Sequence, residues 1–191
     1  MKKVKLILMA SILLCLSSQA AIAQLPYKAS VGGTLGFMGV GPSFKTFLTD
    51  NISIQTDLLY KATLTGVMSE TYFGLASYVS LELNANVMYQ KKIKEKEKSE
   101  LFWFIGGGLS LGSEVISGIN GKFGANAIVG IEYLFKNKPL AFQIDFRPGY
   151  GMLFNSGHIL NGDWFHPETN PWSHFDWYLG FTWRYVFKEK L

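Results

Sequence analysis

Every second residue from Phe175 to Phe187 is apolar, and most are aromatic: Phe175, Trp177, Leu179, Phe181, Trp183, Tyr185 and Phe187. Between them lie Asp176, Tyr178, Gly180, Thr182, Arg184 and Val186, mostly small or polar. A sustained period of two predicts a strand, because helical geometry would scatter the rings around the axis. One face of this strand is suited to an apolar medium and carries amphipathic rings near both ends.

The same alternation recurs along the chain. Tyr27 to Phe37 sets Tyr27, Ala29, Val31, Gly33, Leu35 and Phe37 against Lys28, Ser30, Gly32, Thr34 and Gly36. Met38 to Gly41 reads as a glycine-rich turn, and a second strand runs to about Leu48. After the polar turn Thr49 to Asn51, Ile52 to Leu64 alternates cleanly. A connection around Gly66 to Thr71 leads to Val79 to Gln90, where Val79, Leu81, Leu83, Ala85, Val87 and Tyr89 oppose polar neighbours. The charge run Lys91 to Glu100 could serve as a basic docking patch and is read here as a solvated turn. Leu101 to Leu111 is a fifth strand, apolar on both faces at its start, so its register stays open. A connection over Gly112 to Gly121 precedes a sixth strand, Phe123 to Phe135. The short turn Asn137 to Pro139 leads to a seventh, Phe142 to Met152, in which Pro148 predicts a bulge. The longest connection, Asn155 to Ser173, precedes the last strand.

Eight strands with compact or solvated turns at one end and longer loops at the other predict an all-β fold. The specific expectation is an eight-stranded antiparallel up-and-down transmembrane β-barrel with both termini periplasmic. A soluble lipocalin-like barrel also has eight strands, but its outer face would carry Lys and Glu along the strands. Here the lysines gather at strand ends, and the polar face is mainly Ser, Thr, Asn, Gln and Gly, suited to a narrow filled lumen. The aromatics also sort by depth, as a bilayer requires. Tyr27, Tyr89, Trp103, Tyr133, Phe135, Tyr185 and Phe187 fall at the turn end, and Phe37, Phe123, Tyr150, Phe175 and Trp177 at the loop end.

The N-terminus changes the compositional picture. Lys2, Lys3 and Lys5, the apolar run Leu6 to Leu16, and Ala21-Ile22-Ala23 before Gln24 make a secretory signal peptide over residues 1–23. The expected barrel domain is therefore 24–191. Cys15 raises the possibility of lipidation, but Leu14 stands where a lipobox needs a small residue. Removing this segment takes three of the 18 basic residues and none of the 14 acidic ones, leaving 15 − 14 = +1. The basic character belongs mainly to the leader, which removes support for nucleic-acid binding. The same cleavage removes the only cysteine, and with it disulfide and thiol chemistry.

The signal peptide, the glycine-rich first strand, the aromatic last strand and the run Gly41-Pro42-Ser43-Phe44-Lys45-Thr46-Phe47-Leu48-Thr49-Asp50-Asn51 together carry a resemblance. The chain resembles small outer-membrane β-barrel domain proteins, the OmpA/OmpX-like and PorT-like group of Gram-negative bacteria. The resemblance implies residence in the cell outer membrane and a structural or adhesive and binding role through extracellular loops. A small pore or an envelope-secretion accessory factor is the alternative. Family members commonly end on an aromatic, whereas this chain continues past Phe187 to Lys188-Glu189-Lys190-Leu191. The assembly signal would then be the internal face Phe181/Trp183/Tyr185/Phe187.

Candidate chemistry is sparse. No glycine-rich phosphate loop opens a helix, so no cofactor is expected. His158, His166 and His174 lie in or beside the last connection with Asp163, Glu168 and Asp176. That set could bind zinc or transfer protons, but a polar surface loop accounts for it and is the reading adopted, with no metal assigned. Some barrels of this size modify lipid A with Ser and His at the outer rim. Ser156 and His158 lack the His-x-Ser arrangement of that group, so no enzyme activity is assigned. Trp164, Phe165, His166 and Trp172 form the expected partner-binding loop, for an envelope or surface protein. The inward faces carry Asp57, Lys61, Glu82, Glu132, Asp145, Arg147 and Arg184, read as an ion cluster that plugs the lumen. Counting from the turns predicts Asp145 and Arg184 as its best pair.

Overall fold

The computed structural model describes residues 27–37, 39–68, 73–114, 120–155 and 172–187, and every regular element in them is a strand. The strands are β1 (Ala29–Phe37), β2 (Gly39–Phe47), β3 (Ile52–Met68), β4 (Phe73–Lys96), β5 (Ser99–Glu114), β6 (Asn120–Phe135), β7 (Leu140–Asn155) and β8 (Trp172–Phe187). Each pairs antiparallel with its chain neighbour, and β1 closes on β8 from Ala29↔Phe187 to Phe37↔Leu179. The fold is thus the closed eight-stranded up-and-down barrel that the alternation predicts. The β2–β3, β4–β5 and β6–β7 turns share one rim, called here the turn end; the other rim is the loop end.

Alternation decides the two surfaces. On β4, Leu81, Leu83, Val87 and Tyr89 are exposed, while Glu82, Asn84, Asn86, Met88 and Gln90 are buried in the interior. β5, whose register the sequence leaves open, turns Phe102, Phe104 and Ser110 inward and Trp103, Ile105, Leu109 and Leu111 outward. Thirty-four large hydrophobic side chains are exposed among the described residues. At the turn end the outward rings touch edge to face: Tyr89–Trp103, Tyr133–Phe135, Phe135–Phe142, Phe142–Trp183 and Tyr185–Phe187. At the loop end Phe37 stacks on Trp177, centroids 5.2 Å apart.

Several expectations are corrected. Tyr27 precedes β1, and its side chain folds into the lumen instead of joining the outward belt. The charge run is not wholly a turn: β4 continues through Lys96 and reverses at Glu97–Lys98, although Lys91 to Lys98 are all exposed. A bulge falls there, at Ile93, where the β4–β5 register shifts between Lys92 and Lys94. Pro148 makes no bulge. The β6–β7 ladder skips from Asn126↔Gly149 to Val129↔Phe146 with its register unchanged, and Pro148 still stands opposite Trp177 on β8. A missing N–H therefore interrupts the ladder without inserting a residue.

The first hairpin is short. β1 and β2 have nine residues each, and Gly36 already pairs with Gly39. β3 and β8 run on past its tip and pair with each other, Gly66↔Phe175 to Met68↔Ser173. Glycine is required at the tip because the Tyr178 ring lies beneath it. A Cβ on Gly36 would stand 2.4 Å from that ring, and one on Gly180 2.5 Å from it.

Candidate functional site

The lumen is filled, and its filling is layered. At the turn end Tyr27, Phe47, Phe102, Leu134, Ala141 and Val186 form an apolar plug. A second apolar cluster, Met88, Phe104 and Ile128, lines the wall above it. Phe47, Phe102, Leu134, Ala141 and Val186 lie near the ends of strands whose outward faces are also apolar, which explains why β5 shows no clean alternation at its start.

The first ionic layer rests on the plug. Lys45 Nζ meets Glu132 at 2.8 Å and donates to Gln90 Oε1 at 2.6 Å. Glu132 also accepts from the Tyr27 hydroxyl at 3.0 Å and from Gln90 Nε2 at 3.0 Å. The Lys45 ammonium lies 5.3 Å from the centroids of both Phe47 and Phe104, so rings and carboxylate share one cation. Tyr27 turns inward because Glu132 offers its hydroxyl a buried acceptor.

Arg184 links this layer to the next. Its Nη1 donates to Gln143 Oε1 at 2.7 Å and lies 3.6 Å from Glu132, while Nε and Nη2 donate to Ser43 Oγ. In the second layer Arg147 bridges two carboxylates, Asp57 at 2.6 Å through Nη1 and Asp145 through Nε. Gln55 donates to Asp57 and Gln143 to Asp145, so each carboxylate has a second donor. The predicted Asp145–Arg184 pair does not form. On the β7–β8 ladder Asp145 stands opposite Gly180, whereas Arg184 stands opposite Ala141, four rungs nearer the turn end.

Above Arg147 lies Tyr178. Its hydroxyl shares a hydrogen bond of 2.9 Å with Thr34, and the Arg147 guanidinium sits 5.2 Å from its ring centroid. The last layer is a ring of four ions from four strands. Lys61 of β3 contacts Glu82 of β4 at 3.3 Å and Asp176 of β8 at 2.6 Å; Lys122 of β6 contacts the same two carboxylates. Because these strands lie on different sides of the barrel, the ring spans the lumen.

The buried ions number five acids (Asp57, Glu82, Glu132, Asp145, Asp176) and five bases (Lys45, Lys61, Lys122, Arg147, Arg184), so 5 − 5 = 0. All seven sequence-predicted lumen ions are inside. Lys45, Lys122 and Asp176 are the three that sequence reasoning left out. Lys45 had a signal: Val40, Pro42 and Phe44 are exposed while Ser43, Lys45 and Phe47 are buried, an alternation that the proline and glycines of β2 obscure.

Between Tyr178 and the ring, toward β5–β7, lies a chamber lined by Asn84, Ser110, Asn126, Arg147, His174 and Asp176 among others. Asn84 Nδ2, Asn126 Oδ1, Arg147 Nη2, His174 Nδ1 and Asp176 Oδ1 find no partner in the protein. A mixed set of donors and acceptors in a neutral setting suits hydroxylic molecules such as water. His174 is buried in β8, which corrects its assignment to a surface loop. No group of three or more His, Cys, Asp or Glu among the described residues is arranged to hold a metal ion. Trp164, Phe165 and His166, like the signal segment 1–23, lie outside the described residues. Trp172 opens β8, but its side chain lies outside them too.

Outside the barrel, the β4–β5 hairpin carries its own ion cluster. Lys92 meets Glu95 at 2.7 Å and Glu100 at 2.9 Å, and Lys136 meets both carboxylates. Hydrogen bonds from Lys136 and then Lys92 hold the Glu95 carboxyl down to about 2. Those from Glu95 and Glu100 raise Lys92. A search of protein-family models and a search of curated proteins each returned no match to this chain.

Proposed function

We propose that this chain is an integral barrel of the cell outer membrane, closed along its axis, that works through its two ends and not as a pore. The observation that carries the reading is the inversion of polarity. The exterior presents the exposed hydrophobes and the interior holds ten acidic and basic side chains, the opposite of a protein that meets water on its outer face. Soluble monomers rarely expose contiguous apolar patches beyond a few hundred Å². A closed barrel is also the form in which strands can sit in lipid with every backbone group paired. The signal-like segment 1–23 and the resemblance to small outer-membrane barrels support the same address.

With a plug at one end and an ion ring at the other, no continuous aqueous path is expected. A lipid-facing wall discriminates little, so specificity is assigned to the ends, and the aromatic-rich connection 156–171 between β7 and β8, with Trp172 at the start of β8, is the proposed contact for an envelope or surface protein. Folded protein should stay with membranes through alkaline carbonate washing and change gel mobility on boiling. In planar bilayers it should give no large, steady single-channel conductance. Release by carbonate would return the chain to the soluble-barrel class, and such a conductance would replace the closed barrel with a small pore.

A further inference from the structure

The β4–β5 hairpin outruns its neighbour on the β3 side. The last β3–β4 pair is Ile52↔Tyr89, and Gln90 N–H still reaches Asn51 O at 2.7 Å. Beyond it, Lys91 to Lys96 pair with β5 alone among the described residues. Five lysines and three glutamates occupy residues 91–100. In a regular strand Lys91, Ile93 and Glu95 would share the outward face, an unremarkable mixture.

The bulge changes that order. Directly opposed residues share a face of the sheet. Lys91 stands opposite Trp103, which faces outward, and past the bulge Lys94 stands opposite Leu101, whose β6 partner Tyr133 also faces outward. Lys96 follows two residues on, opposite Ser99. The extra residue therefore brings Lys91, Lys94 and Lys96 onto one outward face. It sends Glu95 to the other, where Lys92 and Lys136 engage it together with Glu100. Glu95 and Glu100 are thus occupied on one face and Glu97 lies in the turn, while Lys91, Lys94 and Lys96 take part in no ion pair among the described residues.

The depth of this row identifies its ligand. Lys91 lies beside Trp103, whose ring meets Tyr89 edge to face in the turn-end girdle. Rings of this kind sit at the level of lipid headgroups, and the headgroup layer adds about 5–8 Å beyond the hydrocarbon on each side. With a rise of about 3.3 Å per residue along a tilted strand, Lys91 and Lys94 lie within that layer. Lys96 reaches back into it with a flexible stem.

We propose that Lys91, Lys94 and Lys96 form a binding row for the phosphates of anionic phospholipids at the turn-side membrane surface. The proposal rests on the outer-membrane reading above and extends it, giving the barrel a preference for the lipid that surrounds one rim. An acidic polypeptide would need the lysines to project into open water beyond the headgroups. Their position beside the girdle favours lipid.

The test uses the full chain, folded in zwitterionic detergent, with folding verified by gel mobility before and after boiling. It is titrated with short-chain phosphatidylglycerol, short-chain phosphatidylcholine, inorganic phosphate or an oligoglutamate peptide, following the backbone amide resonances of Lys91–Lys96. Phosphatidylglycerol should shift these resonances well below the concentration at which phosphatidylcholine does. Lys91→Gln, Lys94→Gln and Lys96→Gln together should weaken that binding by on the order of 100-fold, about 5-fold per lysine. The exchange Lys94→Glu with Glu95→Lys keeps net charge and should weaken it too, because the row and not the total charge is what binds. Equal response to both lipids, phosphate competing as well as the lipid, preferential oligoglutamate binding, or an unaffected exchange variant would each overturn the proposal. Failure of the barrel reading itself would register separately, as release from membranes by carbonate.

Discussion

Replacing Arg147 by Met tests whether the lumen is a dry ionic lattice or a wet channel. Arg147 holds two buried carboxylates, Asp57 at 2.6 Å and Asp145 beside it, and its guanidinium covers the Tyr178 ring. Methionine keeps much of the stem and removes the charge, leaving two buried carboxylates held by neutral donors such as Gln55 and Gln143 and no cation. Breaking one partner of a buried pair costs about 3–5 kcal/mol. Arg147 also lines the chamber and has one Nη2 without a protein partner, so water can reach its far side. That places the expected loss near about 3 kcal/mol, roughly 100-fold in the unfolding equilibrium. The assay is reversible urea unfolding in detergent or lipid, read by tryptophan fluorescence. The companion variant Arg147→Met, Asp57→Asn, Asp145→Asn removes all three charges and should recover most of the loss, since neutral groups of similar shape carry no unpaired charge. A single-variant loss below about 1 kcal/mol would mean hydrated, independent ions, and the sealed lumen would be wrong.

Gly36→Ala should destabilise the barrel by about 1–3 kcal/mol, because its methyl meets the Tyr178 ring and Leu179 O. Gly33→Ala, whose nearest neighbour would be 3.8 Å away, should fold like the parent, and paired unfolding curves separate the two. The Glu95 carboxyl is depressed from 4.5 to about 2, so its contribution is present above its unfolded value and is lost as pH falls through about 2. Because Glu95 is exposed, the expected effect is local: faster amide exchange in the β4–β5 hairpin between pH 4.5 and 2, with the rest of the barrel unchanged.

The barrel was legible because its exterior and its lumen take opposite polarity on alternate residues, and that alternation runs through most of the strands. Where an inward position is itself apolar, the alternation fades. This is why Phe102 and Phe104 left the β5 register open and why the turn-end plug had no signature. Tyr27 misled for a related reason: it lies outside the strand whose period was used to orient it. Lys122 fell between the connection ending at Gly121 and the strand read from Phe123, and so on neither face, because β6 begins at Asn120, earlier than the apolar pattern indicates. The wrong partner for Asp145 has a geometric origin. Depth counted from turns ignores the stagger between strands, whereas buried ions pair across the lumen, here Arg147 of β7 with Asp57 of β3. Buried ion pairs are weak evidence of stability in themselves. Their neutral total says instead that the interior was composed as a unit.

The direct pairing of β3 with β8 above the first hairpin means that the wall is built from eight strands near the turn end and from six at the loop rim. Barrel diameter grows roughly linearly with strand number, so cross-section shrinks toward that rim to roughly half. The molecule is a funnel. At its broad end six side chains are needed to stop the bore, with charged layers stacked above them; at its narrow end one tyrosine and a square of four ions suffice. Widening the narrow rim would require lengthening β1 and β2, and the glycines that seat Tyr178 at the hairpin tip stand in the way.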